Sequence, residues 1–436
     1  MSMSNNHERI KREIPRIGVI ADDFTGGTDI ASFLVKGGCS AIQVSDVGEQ
    51  KITTDVDAMV VSLKSRSCPA DEAVEMSLSA LRWLQQQGCE RIYFKYCSTF
   101  DSSPAGNIGP VTDSLLAAMG ERMTLLCPAL PVNGRTVYSG YLFVNGVPLN
   151  ESGMRNHPVT PMRDACIMRL MEAQATGRVA NIPFSVIEKG ALAVENALMR
   201  LQQEGYRYVV PDALSSAHLE TIAQASAGLR LITGGSGLAE HIAAMLTQGG
   251  AKDPVQASLT GMPAKGGKTA ILSGSCSVMT NAQVAAYSAR APALPVDVVR
   301  CMDDPSGYVD DVASWVCRQD AEWAPIVYST VGAELGSVQT RYGAQAASAA
   351  IESFFAQLAV RLKQAGINHF IVAGGETSGA VMQQLQVNAM YIGPQIAPGV
   401  PWVRSANDNL FFALKSGNFG DEQFFFTAQN FYKDNK

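Results

Sequence analysis

The chain has 436 residues, with 34 Lys and Arg against 40 Asp and Glu, which gives a net charge of −6. This length favours two domains, and the acidic balance argues against a nucleic-acid-binding protein, which would usually present a basic face. The absence of a run of eighteen or more apolar residues argues against a membrane-spanning helix.

The N-terminal segment and the cysteines indicate the compartment. Residues 1–16 are polar and charged and have no apolar h-region, so we predict a disordered tail and not a signal peptide. The nine cysteines occur singly, without a C-x-x-C pair. This pattern is typical of reduced thiols in a cytoplasmic enzyme and argues against a disulfide framework. No Cys or His spacing predicts a metal site.

The first strand ends in two adjacent carboxylates, Asp22 and Asp23. The apolar run 17–21 precedes them, a Thr-Gly-Gly turn follows, and a helix is predicted over Thr28–Lys36. In an open α/β sheet, ligands bind beyond the carboxyl ends of the strands. Carboxylates at that edge can accept a proton from a hydroxylated substrate or hold a cation. The alternative is that one Asp caps the helix and the other is solvated.

Short apolar runs alternate with amphipathic segments along most of the chain. This alternation predicts an α/β fold, with mostly parallel sheets flanked by helices. Strands are predicted at residues 17–21, 41–44, 58–63, 91–96, 124–127, 179–182, 208–210, 229–233, 269–272, 325–328, 370–373 and 410–414. Helices are predicted at residues 70–87, 190–204, 237–247, 279–289 and 344–365. Asn145-Gly146 between apolar residues predicts a β-hairpin in the first half.

Residues 248–268 are rich in Gly and Pro and have neither helical nor strand periodicity. We interpret them as a linker between two domains, 17–247 and 269–436. The segment from Gly261 to Thr269 looks like a P-loop, but Gly267 intervenes before the lysine and the segment precedes a strand. No G-x-G-x-x-G lies between a strand and a helix, so a Rossmann dinucleotide site is unsupported.

Polar loops follow several predicted strands of the first half. Arg66 offers a fork of donors that suits a carboxylate, although it could equally be a solvated loop residue. Lys95, with Ser98 beyond it, could bind a polyhydroxy acid, and a further polar loop spans 128–135. His157 could hydrogen-bond a substrate hydroxyl or titrate near neutral pH, but a lone His is more often structural.

Three glycine- and hydroxyl-rich loops follow strands of the second half, at residues 272–277, 374–379 and 415–420. A strand, a glycine-rich turn and a helix together make backbone N–H groups available to phosphate oxygens. One such turn is weak evidence, because it is also an ordinary connection between a strand and a helix. Three in one domain predict a composite anion site.

Four spaced motifs carry a resemblance to a known family. They are Ala-Asp-Asp-Phe-Thr-Gly at 21–26, Gly-Gly-Glu-Thr-Ser at 374–378, Gly-Pro-Gln-Ile-Ala-Pro-Gly-Val-Pro at 393–401 and Leu-Lys-Ser-Gly-Asn-Phe-Gly at 414–420. In this order they resemble the four-carbon acid sugar kinase family over nearly the whole chain. The loops at 95–102, 127–136 and 150–158 are similar to those of the members that phosphorylate 3-oxo-tetronates.

The resemblance implies an ATP-dependent kinase that uses ATP and Mg²⁺ and acts on the terminal (4-) hydroxyl of a 3-oxo-tetronate. Its site would lie in the cleft between the sugar-acid domain and the nucleotide domain. The implied catalytic residues are Asp22, Asp23 and Lys95, and the implied substrate-binding residues are Arg66, Cys97, Ser98, Asn133, Arg135 and His157. The implied ATP-binding residues are Ser273, Gly374, Gly375, Glu376, Thr377 and Gly417.

The expected mechanism is in-line transfer of the γ-phosphoryl group, which depends on positioning and charge neutralisation. Arg66 would clamp the substrate carboxylate, and Asp22 or Asp23 would orient or deprotonate the attacking hydroxyl or bind Mg²⁺ through water. A D-threonate or D-erythronate 4-kinase is the alternative within the family. An NAD-dependent oxidoreductase and a non-catalytic sugar-acid sensor are the alternatives outside it. The expected partners are small molecules, neither nucleic acid nor membrane, and a homodimer is one candidate assembly.

Overall fold

The computed structural model describes residues 16–45, 47, 54–156, 160–247, 254–329 and 343–433. The strands of these residues are β1 (Arg16–Ala21), β2 (Ala41–Val44), β3 (Ala58–Ser62), β4 (Cys89–Lys95), β5 (Thr124–Cys127), β6 (Arg135–Tyr138), β7 (Tyr141–Val144), β8 (Val147–Pro148), β9 (Arg178–Ile182), β10 (Tyr206–Pro211), β11 (Leu231–Gly234), β12 (Lys268–Ser273), β13 (Ala293–Pro295), β14 (Ile326–Tyr328), β15 (Ile367–Ala373), β16 (Ala389–Ala397), β17 (Val400–Ser405) and β18 (Phe411–Lys415).

The α-helices of the same residues are α1 (Phe24–Lys36), α2 (Ala70–Gln86), α3 (Ile108–Met119), α4 (Ile167–Glu172), α5 (Phe184–Ile187), α6 (Ala191–Gln203), α7 (Ser216–Ala225), α8 (Gly237–Thr247), α9 (Pro254–Ser258), α10 (Val278–Ser288), α11 (Val298–Asp303), α12 (Pro305–Cys317), α13 (Ala344–Gln364), α14 (Gly375–Gln384) and α15 (Phe424–Asn430). Among the described helices, none is both long and apolar enough to cross a lipid bilayer. The predicted α/β architecture with mostly parallel strands is confirmed.

In the first half, the parallel strands lie in the order β2-β3-β1-β4-β11-β5-β10-β9. The chain passes from β1 outward to β2 and β3, and then crosses to β4 on the other side of β1. This reversal makes the carboxyl end of β1 a topological switch point, where open α/β sheets bind ligands. The small antiparallel sheet β6-β7-β8 is the predicted hairpin, and Asn145 and Gly146 have φ of 52° and 84°, as its turn requires.

The second half repeats this arrangement in the order β13-β14-β12-β15-β18, again with parallel neighbours. Here β12 lies between β14 and β15, so that its carboxyl end is the corresponding switch point. The glycine- and hydroxyl-rich loops that follow β12, β15 and β18 therefore meet at one edge.

The two halves share one continuous sheet of fifteen described strands. Strands β16 and β17 extend the second half antiparallel from β18, and β16 pairs antiparallel with β2 through Ala389–Val44 and Tyr391–Ile42. By this pairing, β1 and β15 run in opposite directions. Adjacent strands are rotated by about 20–25°, so the six steps between β1 and β15 add up to about 120–150°. This twist turns the two carboxyl edges toward each other.

Several boundaries differ from the sequence predictions. Helix α1 begins at Phe24 and not at Thr28, because the Asp23 side chain caps a first turn that contains the Thr-Gly-Gly segment. Strands β16 and β17 were not predicted, since Pro394 interrupts the apolar pattern and is tolerated beside a register irregularity. Arg16, assigned to the tail, begins β1, and residues 1–15 lie outside the described residues.

The predicted linker 248–268 is more structured than its composition suggests. Residues 248–253 lie outside the described residues, but helix α9 and a 3-10 turn at Leu259–Gly261 follow. Ala257 is buried, and Gly261 lies against the backbone of β16, so closely that a Cβ there would overlap Gly393. This part of the segment is therefore packed against the sheet.

Candidate active site

Three adjacent parallel strands of the first half end in charged residues. Asp22 and Asp23 follow β1, Arg66 follows β3, and Lys95 is the last residue of β4. The backbone N–H groups of Ser65 and Arg66 donate to the Asp22 carbonyl at 2.9 and 3.1 Å, which fixes the β3 loop beside the end of β1.

Arg66 binds both carboxylates. Its Nε donates to Asp22 Oδ2 at 2.9 Å, and its Nη2 donates to Asp22 Oδ1 at 2.7 Å and to Asp23 Oδ1 at 2.6 Å. This bidentate geometry is the strong form of the arginine–carboxylate pair. Burial acts to raise the pKa of Asp23, but Arg66 and Lys95 together hold it below its ordinary value. Asp23 is therefore an anion at neutral pH.

Asp23 is also the N-cap of α1. Its Oδ1 accepts from the Gly26 N–H at 2.9 Å and its Oδ2 accepts from Thr25 Oγ1 at 2.9 Å. The capping alternative therefore holds for Asp23. The same alternative predicts that the other aspartate is solvated, and this is wrong for Asp22, which is 5% exposed and ion-paired.

A second ion pair, which is buried, lies about two turns further along α1. The side chain of Asp29 is 9% exposed and that of Lys95 is 3% exposed, with Asp29 Oδ2 at 3.6 Å from Lys95 Nζ. Lys95 Nζ also donates to the Tyr96 carbonyl at 2.9 Å. Asp29 Oδ1 is buried and accepts no hydrogen bond from the described residues.

These groups surround a cavity of about 120 Å³, which we call the Lys95 cavity. Loops from both halves of the chain contribute to it. Its first-half lining is Asp23, Thr25, Gly26, Asp29, Arg66, Lys95, Cys97, Ser98, Thr99, Leu130, Asn133 and Arg135, and its second-half lining is Gly399, Leu414, Ser416 and Phe419. Cations, carboxylates and hydroxyls thus line a small, partly open cavity.

The glycine- and hydroxyl-rich loops of the second half form one cluster. Gly274 packs so closely against Thr377 that a Cβ would overlap its hydroxyl, and a Cβ on Gly417 would lie 2.7 Å from Ser275 Oγ. Gly374 has a φ of 124°, a conformation that favours glycine. The hydroxyls of Ser273 and Ser378 are buried without a partner among the described residues.

Lys415 links the loops of this cluster through buried hydrogen bonds. Its fully buried Nζ donates to Thr280 Oγ1 and the Gly417 carbonyl, each at 2.9 Å, and to the Ser416 carbonyl at 3.1 Å. These three acceptors match the three N–H bonds of an ammonium group. Burial lowers the pKa of Lys415 to about 7. The ammonium therefore lies among neutral groups close to the predicted anion site.

A second cavity joins the two strand edges. It has a volume of about 370 Å³, and we call it the Glu376 cavity. Asp22, Asp23, Thr25 and Arg66 line it from the first half, and Gly375, Glu376 and Gly379 line it from α14. Asp23, Thr25 and Arg66 also line the Lys95 cavity, so the two cavities meet at these residues. In the described part of the chain, no group of three or more His, Cys, Asp or Glu residues could hold a metal ion.

Comparisons with known proteins agree with this division. Residues 17–242 match a family model described as a sugar-binding N-terminal domain, and residues 270–425 match one described as a nucleotide-binding C-terminal domain. A 3-oxo-tetronate kinase of Brucella melitensis is 58% identical over 416 residues, which is 95% of each chain. A 3-oxo-tetronate kinase of Actinobacillus succinogenes is 53% identical and covers 95% of this chain and 99% of its own.

The chain belongs to the four-carbon acid sugar kinase family. The crystal structure of a Salmonella typhimurium LT2 protein, 52% identical, has the same fold with a TM-score of 0.89 over 96% of this chain and 100% of that one.

Most residues that the resemblance to this kinase family implied lie together. Asp23, Arg66, Lys95, Cys97, Ser98, Asn133 and Arg135 line the Lys95 cavity, and Asp22 lines the Glu376 cavity. Gly375 and Glu376 line the Glu376 cavity, and Ser273, Gly374, Thr377 and Gly417 belong to the loop cluster. His157 lies outside the described residues.

The expected role of Arg66 as a clamp for the substrate carboxylate stays a prediction, and its contacts with the protein bear on it. Its Nε and Nη2 are occupied by Asp22 and Asp23, so the fork expected to clamp a substrate carboxylate already holds two carboxylates of the protein. The Lys95 cavity offers Arg135 instead, whose Nη1 donates to the Asn133 carbonyl and whose Nε is buried without a partner among the described residues.

Two charged residues of the site were missed from the sequence. Asp29 resembles an ordinary helical position, although it lies three residues after Gly26 and is buried among apolar neighbours. A carboxylate in a helix that is apolar on its other faces is a signal for such a residue. Lys415 ends an apolar strand just before a glycine turn, and that position was equally informative.

Proposed function

We propose that this protein is an ATP-dependent kinase that phosphorylates the 4-hydroxyl of a 3-oxo-tetronate. The observation that carries the proposal is that the Lys95 cavity, which has charged walls, meets the Glu376 cavity, which α14 borders. The two cavities share Asp23, Thr25 and Arg66. The names of the relatives support the same reaction and substrate. Phosphoryl transfer requires such a junction, because acceptor and donor must be held in line.

The Lys95 cavity suits a small hydroxylated acid. Arg135 and Lys95 supply positive charge for a carboxylate or a keto oxygen, and Ser98 and Asn133 supply hydrogen-bonding groups. Burial raises the pKa of Cys97 to about 12, so its thiol stays protonated and acts as a neutral wall. We assign the sugar acid to this cavity and its carboxylate to Arg135.

The loop cluster around β12, β15 and β18 suits the phosphates of a nucleotide. The buried Ser273 and Ser378 hydroxyls have no partner among the described residues, and a Cβ on Gly375 would meet no atom within 4 Å. The N-terminus of α14 adds backbone N–H groups and the positive end of a helix dipole. We assign ATP to Ser273, Gly374, Gly375, Thr377 and Gly417, and bound ATP supplies the phosphoryl group.

Mg²⁺ fits the Glu376 cavity. Protein sites usually hold Mg²⁺ through one or two carboxylates together with phosphate oxygens and water. Asp23 from the first half and the exposed Glu376 from the second half both line this cavity. We therefore propose that these two carboxylates hold the ion through water when the nucleotide is bound.

The remaining groups orient and shield the reactants. Arg66 fixes Asp22 and Asp23 at the junction, and Lys95 presents a buried positive charge to the acceptor. Phe419 and Leu414 cover the Lys95 cavity from the second half, which keeps water from competing with the hydroxyl. We propose the sugar-acid domain as residues 17–247 and the nucleotide domain as 269–436. A cytoplasmic location is supported by nine free cysteines.

An ADP-release assay tests the proposal. The purified protein with Mg²⁺ and ATP is offered 3-oxo-tetronates, D-threonate and D-erythronate, and NMR locates the phosphate on the product. We expect ADP release with a 3-oxo-tetronate and phosphate on C4. Release only with D-threonate or D-erythronate would reassign the substrate. Binding without ADP release, or reduction of NAD(P), would reject a kinase.

A variant tests the assignment of the sugar acid. Arg135→Gln removes a charged donor, so we expect KM for the acid to rise about 10- to 100-fold while KM for ATP stays unchanged. Arg200→Gln, at an exposed ion pair with Glu204, is the matched control and should leave both constants unchanged. An equal rise in both KM values for Arg135→Gln would contradict the assignment.

A further inference from the structure

We infer that Asp29 is the catalytic base that takes the proton of the attacking hydroxyl, whereas Asp22 and Asp23 are positioning residues. The inference rests on the kinase activity proposed above and names a residue that sequence reasoning did not place in the site. It follows from which carboxylate oxygens are occupied, which one is free, and where the free oxygen lies.

The carboxylate oxygens of Asp22 and Asp23 already accept hydrogen bonds from the protein. Asp22 accepts from Arg66 with both oxygens, at 2.7 and 2.9 Å. Asp23 Oδ1 accepts from Arg66 and from the Gly26 N–H, and its Oδ2 accepts from Thr25. A base needs a lone pair directed at the substrate within hydrogen-bond reach. Each of these four oxygens therefore already accepts at least one hydrogen bond from the protein, and such bonds favour the charged form over protonation of that oxygen.

Asp29 has the oxygen that these two residues lack. Its Oδ1 is buried and accepts no hydrogen bond among the described residues, and the carboxylate lines the Lys95 cavity. An unpaired buried carboxylate oxygen is costly, and beside a cavity the hydroxyl of a bound ligand would supply its partner. The buried hydroxyl of Ser236 lies near the same carboxylate and lowers its pKa, although it makes no close hydrogen bond with any of the described residues.

The free oxygen lies where the two halves of the molecule meet. A Cβ on Gly399 would lie 2.5 Å from Asp29 Oδ1 and 3.0 Å from Phe419 Cε2. Gly399 and Phe419 both belong to the second half, and Phe419 lies in the loop that also contains Gly417. Asp29 is therefore on the side of the cavity that faces the proposed nucleotide loops, as an acceptor hydroxyl must be.

The charges around Asp29 suit proton transfer. Burial raises the pKa of Asp29 above its ordinary value, and Lys95 and the Ser236 hydroxyl oppose that rise, whereas the nearby Asp23 carboxylate adds to it. A general base is most effective when its pKa lies closer to the working pH than that of an ordinary carboxylate. Lys95, at 3.6 Å, also compensates the negative charge of the resting carboxylate.

The step balances as follows. The O–H bond of the acceptor hydroxyl breaks and its proton passes to Asp29 Oδ1, while the hydroxyl oxygen forms a bond to the γ-phosphorus of a nucleoside triphosphate. The bond between that phosphorus and the β–γ bridging oxygen breaks, and the electron pair leaves with the nucleoside diphosphate. The proton on Asp29 then returns to solvent.

Kinetics of Asp29→Asn test the inference. The amide keeps the shape but cannot accept the proton, so we expect kcat to fall by about 10²–10⁴-fold. The dissociation constants of the sugar acid and of ATP, measured by calorimetry, should change by less than about tenfold. This limit corresponds to about 1.4 kcal/mol of binding free energy. Asp164→Asn, at a surface pair with Arg169, is the matched control and should retain full kcat.

A second variant covers a failure to fold, because Asp29→Asn leaves Lys95 without its partner. Asp29→Glu keeps the charge but displaces the carboxylate by one methylene, so we expect an unchanged melting temperature with kcat at least about tenfold lower. If a folded variant of either kind kept kcat within about threefold of wild type, Asp29 would not be the base. A wild-type protein that releases no ADP with any sugar acid would instead refute the proposed function.

Discussion

The two strand edges of this molecule meet their ligands with different chemistry. The first-half edge carries two ion-pair clusters, a partly buried one in which Asp22 and Asp23 bind Arg66 and a buried one in which Asp29 binds Lys95. The second-half edge carries glycines, hydroxyls and backbone groups, with Lys415 as its buried charge among the described loop residues. The difference matches the proposed ligands, since a small acid is recognised by placed charges and a polyphosphate by convergent N–H groups.

The two edges are also stabilised by different interactions. Opposite charges on the first edge compensate one another, so removing one of them leaves its partner buried and unpaired. The loops of the second edge depend on glycines that pack closely against neighbouring loops. Adding a methyl group to such a glycine should therefore disturb the loops more than removing an exposed charge elsewhere on the surface. The five predictions below test this distinction, from the largest expected effect to the smallest.

Arg66→Met should have the largest effect. It leaves Asp22 buried without its partner, and we expect a loss of about 3–5 kcal/mol in the free energy of unfolding. Activity should fall with it, because Asp23 loses the contact that fixes it at the cavity junction. Urea denaturation and the ADP-release assay measure the two effects. An Arg66→Met protein as stable as wild type would show that the first edge does not depend on this pair.

Lys415→Met tests the buried charge of the second edge. Loss of the ammonium frees Thr280 and the carbonyls of Ser416 and Gly417, so we expect ATP affinity to fall by about 10- to 100-fold and sugar-acid affinity to stay unchanged. Calorimetry measures both. An equal loss for both ligands would mean that Lys415 supports the whole fold and not the nucleotide loops.

Lys415 also predicts a pH dependence. Burial among Thr280, two carbonyls and the Phe424 ring lowers its pKa to about 7, and a bound polyphosphate should raise that pKa again. Above pH 7, wild type should therefore take up a proton on binding ATP, and its affinity should fall as the pH rises. Titrations in buffers of different ionisation heat measure this uptake. It should be smaller in Lys415→Met, and equal uptake would contradict the assignment.

Gly274→Ala should act through shape alone. The added methyl group overlaps the Thr377 hydroxyl, so we expect KM for ATP to rise by about tenfold, as for strained small-to-large substitutions worth 1–3 kcal/mol. KM for the sugar acid should not change. Gly228→Ala, where a Cβ meets no atom within 4 Å, is the control and should be neutral. A neutral Gly274→Ala would show that the loop cluster is loose.

Cys97→Ser should have the smallest effect. Burial raises the pKa of the Cys97 thiol to about 12, so it is no nucleophile, and we expect kcat within about threefold of wild type. Mass spectrometry after iodoacetamide treatment at neutral pH should find label on the exposed Cys317 and none on Cys97. Rapid labelling of Cys97 would contradict this environment.

Strand positions and the polar loops at their ends could be predicted from the sequence, because both depend on local pattern. Strands β2 and β5 have the predicted bounds, and Asp22, Asp23, Arg66 and Lys95 lie at strand ends as expected. Their partners could not be predicted, since Asp22 and Arg66 are 44 residues apart and only the sheet order brings them together.

The missed features share one cause, which is that a tertiary contact outweighed the local signal. Gly26 and Gly27 predict a turn, but the Asp23 cap and the packing of Gly27 against Ser62 extend α1 over them. Strand β16 contains Gly393 and Pro394, which predict a loop, yet its pairing with β17 and β2 makes it extended. The continuous sheet depended on that strand and could not be predicted without it.

The pairing of β16 with β2 has a mechanical consequence. Backbone hydrogen bonds between β16 and β2 connect the two halves in addition to residues 248–268, so a closing motion of the halves would have to twist the sheet. A chain cut by trypsin after the exposed Lys265 should therefore yield two fragments that elute together on gel filtration. Coexpressed as separate polypeptides, the same fragments should reassemble across this seam.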